Sequence, residues 1–191
     1  METIISRRDF LKKSALATVM LTGASFIAKE NITTQKTVKV DADSLISDIK
    51  TYIGKNVEIE GDVIHICPVN AKKIKLKTAQ GNIIKIVPDG TVFQKFDKSL
   101  NQKHIHITGQ VSEERVTSER ILQYAKNQTL LCHIDYKRCI DGAWVDQMVK
   151  SGKAAKYVED MTKKLTDEMQ KTKKDYISVV IITATSISTN E

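Results

Sequence analysis

The chain has 191 residues, of which 41% are apolar and 28% are charged, and its formal net charge is +7. This length predicts one domain, or one domain with a sizeable insertion, and the apolar fraction is sufficient for a hydrophobic core. Only two prolines and eight glycines exclude a fibrous repeat and argue against disorder. Three cysteines are too few for a disulfide-built scaffold. No apolar run reaches the length of a membrane span, which excludes a polytopic membrane protein.

The N-terminus carries the most specific motif of the sequence. Residues 6–12 read SRRDFLK, and an apolar stretch follows over residues 15–28. A basic segment before a short apolar one is typical of an export signal. We therefore interpret residues 1–28 as a twin-arginine signal peptide, which implies the twin-arginine export machinery as a partner and a periplasmic or otherwise exported protein. The residues that define the motif are Arg7, Arg8, Phe10 and Leu11.

The apolar part of this signal is short for a membrane anchor. No permanent membrane span is expected unless the signal stays uncleaved and holds the protein at the membrane. The twin-arginine route exports folded proteins, often with a cofactor already bound. Residues 1–28 carry a net charge of +2, so the remaining residues carry +5. This mild excess on a mixed surface is not a tract for binding polyanions.

Hydrophobic patterning predicts a small β-barrel after a polar linker over residues 29–42. A short helix with an N-terminal cap at Asp43 and Ser44 is expected to end at Gly54. From Val57 the hydrophobic period changes to two, which predicts strands, and the parity changes near Gly61, which indicates a bend or bulge. The strands are predicted at residues 57–66, 73–78, 83–87, 104–111 and 176–188, with a short helical segment over residues 92–100.

The order of these elements is that of an OB-fold. Three strands, a short helix and two further strands, with a long bent first strand, give a five-stranded Greek-key barrel. We therefore expect a mostly β fold with added helices, in which residues 43–188 form an OB-fold-like domain. Its last two strands are separated by a helical, cysteine-containing insertion at about residues 118–174. The last strand is almost continuously apolar, as expected for a strand covered on both faces.

The sequence also resembles exported bacterial OB-fold proteins, over roughly residues 44–116. The resemblance rests on residues 52–63 (YIGKNVEIEGDV), 65–67 (HIC), 72–73 (KK) and 105–111 (IHITGQV). Where such proteins tend to carry a glycine before the basic pair, this chain has Ala71. The resemblance implies the barrel architecture rather than an activity.

The barrel topology directs the three cysteines to one side of the protein. In an OB-fold, the loop between strands one and two and the loop between strands four and five lie on the same binding side. Cys67 begins the first of these loops, and Cys132 and Cys139 lie in the second, expanded one. All three thiols therefore belong to loops that are able to converge.

Three interpretations of these cysteines remain open. Cys132 and Cys139 could form a disulfide in an oxidising compartment. Alternatively, Cys67, Cys132 and Cys139 with His133 or His65 could bind zinc in a closed site, or an iron–sulfur centre. The spacing of Cys132 and Cys139 is not the usual one for zinc, and adjacent Cys132 and His133 do not easily bind one ion together. Finally, the cysteines could be small buried residues without a special role.

Other polar residues have simpler explanations. Two outward histidines on one strand, His104 and His106, are interpreted as solvated side chains, although they could form a two-imidazole site. Asp135 and Asp141 are expected to cap or turn the chain. The lysines of strands two and three are interpreted as a solubilising outer face; they are Lys73, Lys75, Lys77 and Lys85. The absence of aromatic residues from strands one to four after residue 56 disfavours binding of single-stranded nucleic acid.

No enzyme motif is present in the sequence: there is no phosphate loop, nucleophile elbow, His-Glu-x-x-His or Cys-x-x-Cys. The expected function is an exported, non-enzymatic binding module whose binding end lies at the cysteine-bearing loops. Its ligand is a metal held by the cysteines, or a small molecule or protein that the sequence does not identify. The alternative is a thiol-redox enzyme or redox partner using the same cysteines, and a weaker alternative is an oligonucleotide-binding domain.

Overall fold

The fold is built on six strands, seen in a computed structural model that describes residues 36–189. The predicted signal peptide over residues 1–28 lies outside the described residues. In chain order the elements are β1 (Val38–Lys39), α1 (Ala42–Ser47), α2 (Ile49–Tyr52), β2 (Asn56–Ile66), β3 (Ile74–Lys77), β4 (Ile83–Pro88), a 3-10 helix (Lys98–Leu100), β5 (His104–Thr117), α3 (Ser118–Lys126), α4 (Gly142–Lys150), α5 (Ala154–Thr172) and β6 (Tyr176–Thr189). Within residues 36–189, no helix combines the length and hydropathy needed to cross a membrane.

Strands β2 to β6 close into a five-stranded mixed barrel. The hydrogen-bonded order is β2-β3-β4-β6-β5, and β5 pairs again with β2. The β4–β6 pair is parallel, whereas β2–β3, β3–β4, β2–β5 and β5–β6 are antiparallel. This is the connectivity of an OB-like barrel, so the predicted fold class is confirmed. The short strand β1 adds a parallel edge to β2.

The long strand β2 bends so that it serves two neighbours. Its first part pairs with β5 and its last part with β3, and the register shifts between Val63 and His65. The bulged residue, Ile64, is 42% exposed, while Ile66 is buried. The sequence predicted the bend near Gly61, and in the structure it lies slightly further along the strand, between Val63 and His65. Gly61 itself permits a close approach, since a Cβ there would lie 2.8 Å from the carbonyl oxygen of Lys77.

Two hydrophobic cores share strand β6. Its side chains Val180 and Ile182 face the barrel interior, which α1 closes at one end through Leu45. The alternate residues Val179 and Ile181 face outward and are covered by the insertion. This explains the nearly continuous apolar run of β6 and confirms that both of its faces are buried. Helix α5 packs in this second core through Met161, Leu165 and Met169, and Val158 on the same helix is also buried.

Two local predictions were wrong, and one helix was not predicted. The helix α1 is capped by Asp41, whose side chain accepts the Ser44 N–H at 2.8 Å, and not by Asp43. The segment around Val92 is a turn rather than a helix, because the carboxylate of Asp89 accepts backbone N–H groups of the residues that follow it. Helix α4 was not predicted at all, since its nine residues bury no side chain fully and give no clear apolar stripe.

Asp43 instead fastens α1 to the β3–β4 turn. Its carboxylate accepts hydrogen bonds from the Thr78 hydroxyl, from the Asn82 side-chain amide at 2.8 Å and from the Gln80 N–H at 3.0 Å. Burial alone would raise the pKa of Asp43, but these hydrogen bonds outweigh it and lower the pKa. The ionised carboxylate is therefore the form that stabilises the fold.

We predict that Asp43→Ala lowers the free energy of unfolding by about 2–3 kcal/mol at neutral pH, because buried hydrogen-bond donors lose their acceptor. The folded-state pKa of Asp43 lies below its unfolded value of about 3.9, so this contribution is present above about pH 4 and is lost as the pH falls through the folded-state pKa. Urea unfolding of both proteins at several pH values measures the difference.

The matched control is Asp48→Ala, because Asp48 precedes α2 and its side chain makes no capping hydrogen bond. This variant should stay within about 0.5 kcal/mol of the wild type. Equal losses in the two variants would show that the Asp43 hydrogen bonds contribute nothing specific.

We also predict that Gly109→Ala destabilises the barrel by about 3 kcal/mol or more, because the added methyl group would collide with backbone atoms of the neighbouring strand. An added Cβ would lie 2.3 Å from the Thr183 carbonyl oxygen and 2.8 Å from the Ala184 Cα. The control is Gly142→Ala at the start of α4, where an added Cβ meets no atom within 4 Å. Thermal melting should separate the two, and a Gly109→Ala melting temperature equal to that of the control would refute the prediction.

Candidate functional site

All three cysteines line a single cavity of about 150 Å³. We call it the thiol cavity. The end of β2 and the loop after it provide one wall, and the insertion provides the other. The predicted convergence of the two cysteine-bearing loops is therefore confirmed. Its lining includes the following polar and aromatic residues: His65, Cys67, Lys73, Cys132, His133, Cys139, Asp141, Trp144 and Tyr157.

A tight hairpin positions two of the cysteines. The Cys132 N–H donates to the Lys137 carbonyl at 2.7 Å, and the Cys139 N–H donates to the Leu130 carbonyl at 2.8 Å. Because residue 132 lies opposite residue 137, Cys132 and Cys139 are diagonal neighbours on one face of the hairpin. All three cysteines, including buried Cys67, are free thiols in this structure, so Cys132 and Cys139 are close in the fold without being bonded.

Two aromatic residues close the side of the cavity near this hairpin. The rings of Trp144 and Tyr157 meet edge to face with centroids 5.2 Å apart. The Tyr157 hydroxyl donates to the Leu131 carbonyl at 2.8 Å, which ties α5 to the hairpin. Burial, with the nearby thiols of Cys132 and Cys139, raises the pKa of Tyr157 to about 12. Tyr157 is therefore a neutral hydrogen-bond donor at any physiological pH.

Two histidines that contact each other also line the cavity. The rings of His65 and His133 meet edge to face with centroids 4.6 Å apart. Burial, followed by the charges of His65 and Lys75, lowers the pKa of His133 to about 4. Burial and the charge of Lys75 also lower the pKa of His65. Both rings are thus held neutral near pH 7, the state in which an imidazole nitrogen is able to bind a metal ion.

The thiol of Cys132 is held in its protonated form. Burial raises its pKa, and the charge of Asp135 adds to this, while the Ile134 N–H and Lys73 oppose it. A nucleophilic or redox-active cysteine needs a lowered pKa. The environment of Cys132 is therefore that of a protonated, weakly nucleophilic thiol.

A buried ion-pair cluster lies beneath the hairpin. The Nζ atoms of Lys73 and Lys85 lie 2.9 and 3.0 Å from the same oxygen, Oδ2 of Asp135. The Asp135 and Lys85 side chains are only 1% and 7% exposed. Burial would raise the pKa of Asp135, but the two ammonium groups lower it. Burial would lower the pKa of Lys73, but Asp135 outweighs it and raises the pKa.

This cluster corrects two expectations. Lys73 and Lys85 were expected on a solvated outer face, yet the insertion covers that face and buries Lys85. Asp135 does accept the Lys137 N–H at 3.3 Å, as in a turn, but it also neutralises the lysines. The interpretation of Asp141 is confirmed, since it caps α4 by accepting the Trp144 N–H at 3.0 Å. Sequence alternation shows that these lysines share a face but not that a later segment covers it.

The remaining histidines lie on another face of the barrel. His104 contacts Asp62 at 2.8 Å and His106 contacts Glu60 at 3.5 Å, and these four residues line a groove of about 440 Å³. His104 and His106 are therefore paired with carboxylates and not simply solvated. They contribute nothing to the thiol cavity, to which the sequence had assigned His133 or His65.

The thiol cavity brings metal-binding side chains together without a completed ligand set. Within residues 36–189, no group of three or more His, Cys, Asp and Glu side chains stands ready to hold a metal ion. Binding an ion with three thiolates therefore requires side-chain rotation. Trp144 lies at the end of the segment from Cys132 that the sequence places at the binding end, but Tyr157 and the Lys73–Asp135–Lys85 cluster were not predicted. No local pattern indicates the cluster, because Asp135 lies far from both lysines in the chain.

We predict that Asp135→Ala lowers the free energy of unfolding by about 3–5 kcal/mol, because it leaves two buried ammonium groups without a counter-charge. Chemical denaturation measures the loss. The control Asp141→Ala removes a helix cap from the same insertion and should cost about 1 kcal/mol. Asp135→Ala with no greater effect than the control would show that the cluster does not hold the hairpin.

A scan of protein-family models found no match to the chain, and a search of curated proteins found no significant match. The function is therefore inferred from the side chains of the thiol cavity and from the OB-like fold that positions them.

Proposed function

We propose that the protein is a non-enzymatic metal-binding module that holds a zinc ion in the thiol cavity. One observation carries the proposal: Cys67, Cys132 and Cys139 come from two distant loops and line one cavity together with a pair of imidazoles. The bound ion would have three thiolate ligands and one imidazole, from His65 or His133. This donor set matches the closed tetrahedral coordination of structural zinc sites.

The character of the donors favours zinc over the other metal centres considered. An iron–sulfur cluster is usually held by four thiolates, whereas the whole chain has three cysteines. Zinc imposes no strict preference on its ligand geometry, so the site tolerates donors from different loops. Neutral His133, with its pKa lowered to about 4, offers a nitrogen without first losing a proton at neutral pH.

The environment of the thiols favours binding over redox catalysis. Burial raises the pKa of Cys132, which slows attack on a disulfide or other electrophile. Zinc is able to bind such a thiol because it displaces the thiol proton as the S–Zn bond forms, so its affinity for the site should rise with pH. The predicted twin-arginine signal agrees with this proposal, since that route exports folded proteins, often with a cofactor already bound.

We predict that the full-length chain, fully reduced and metal-free, binds one Zn²⁺ in competition with a chromophoric chelator. Cys67→Ser and Cys132→Ser should each weaken binding at least ~100-fold, since even residues that merely support a ligand cost ~10–100-fold when removed. His104→Asn is the matched control, because His104 lies on another face of the barrel, and its affinity should equal that of the wild type.

Two results would contradict this proposal. One is the absence of zinc binding by the reduced wild-type chain, or equal zinc affinities of the wild type and the Cys67→Ser and Cys132→Ser variants. The other is a protein that, purified from its native compartment, contains no metal and carries a Cys132–Cys139 disulfide. Turnover of a dithiol by that protein would favour the thiol-redox alternative.

A further inference from the structure

A buried ion-pair cluster that reaches the thiol cavity through Lys73 carries more positive than negative charge. Two lysines, Lys73 and Lys85, share one carboxylate oxygen of Asp135 at 2.9 and 3.0 Å. Their side chains are 16% and 7% exposed, and that of Asp135 is 1% exposed, so water screens this cluster poorly. Two ammonium groups and one carboxylate leave a net positive charge in a partly dry environment.

The other charged groups around the cavity do not remove this excess. Lys75 lies opposite His65 in the β2–β3 register and adds a further positive charge near the histidine pair, with Lys164 close to it. Asp141 is the one carboxylate among the residues that line the cavity. Its charge is offset by the N-terminal end of α4, which it caps.

The thiols of Cys67 and Cys132 are able to supply further negative charge beside Lys73. Lys73 lines the cavity with both cysteines and interacts electrostatically with both. Because Lys73 and Lys85 share a single carboxylate, an anion placed in the cavity is stabilised by the positive charge that Asp135 does not balance. Neutral thiols and neutral imidazoles carry no charge with which the lysines could interact in this way.

We infer that the thiol cavity takes its metal ion as an anionic complex of three thiolates, with Lys73 as the charge-compensating residue. The inference rests on the proposed function. Each of three S–H bonds is replaced by an S–Zn bond and each proton goes to solvent, so Zn²⁺ with three thiolates and one neutral imidazole carries a charge of about −1. A complex of two thiolates and two imidazoles would be neutral and would leave the lysines uncompensated.

Charge variants at Lys73 test this inference in the full-length, reduced chain. Lys73→Met should weaken Zn²⁺ binding by about 10-fold or more, because it removes a full positive charge from the lining of the cavity that holds the sulfur atoms. Lys73→Arg keeps the charge and should restore most of the affinity. The control Lys77→Met removes an exposed charge from the end of β3, the strand that Lys73 immediately precedes, and Lys77 lies outside the cavity, so this variant should bind like the wild type.

Lys73→Met should fold, because Asp135 keeps its ion pair with Lys85, and the melting temperature of the metal-free variant verifies this.

A second comparison identifies which side chains bind the ion. Cys139→Ser should weaken Zn²⁺ binding far more than His65→Asn or His133→Asn alone, since one imidazole is able to replace the other.

The outcomes separate this inference from the proposed function. Equal zinc affinities of Lys73→Met and wild type would overturn the charge inference while leaving zinc binding intact. A Cys139→Ser variant with unchanged affinity would overturn the three-thiolate complex. A wild-type chain that binds no zinc would overturn the proposed function itself, and this inference with it.

Discussion

The buried contact between Asp135 and two lysines is the interaction on which the candidate site depends. Asp135 belongs to the hairpin that carries Cys132 and Cys139, whereas Lys73 and Lys85 belong to the barrel. The contact therefore joins the insertion to the sheet at the point where the thiols converge. Apolar packing alone would hold the insertion against β5 and β6 without specifying where the hairpin tip lies. A charged contact in a dry environment is strongly position-dependent and fixes that placement.

Much of the barrel could be predicted from the sequence because its strands obey simple periodicity. Alternating residues in β2 and β3 identify a buried face, and the uninterrupted apolar run of β6 indicates two buried faces. The approximate meeting of the cysteine loops also followed, since OB topology fixes which loops share a side. These inferences need only local patterns and a known connectivity.

The electrostatics of the site could not be predicted in the same way. Alternation places Lys85 on the outer face of β4, but only the fold shows that a segment about 50 residues later covers it. Similarly, the neutral state of His133 depends on burial and on Lys75, which lies on a different strand. Side-chain charge is set by neighbours that are distant in sequence, and periodicity carries no information about those neighbours.

Strand β6 contributes alternate side chains to two hydrophobic cores, and this has a consequence for how the protein unfolds. Loss of the insertion would expose Val179 and Ile181 to water, while loss of the barrel would expose Val180 and Ile182. Neither half is able to open while β6 stays fully covered, so the two cores form one cooperative unit. Opening of either core is therefore opposed by the exposure of one face of β6, which couples the stability of the insertion to that of the barrel.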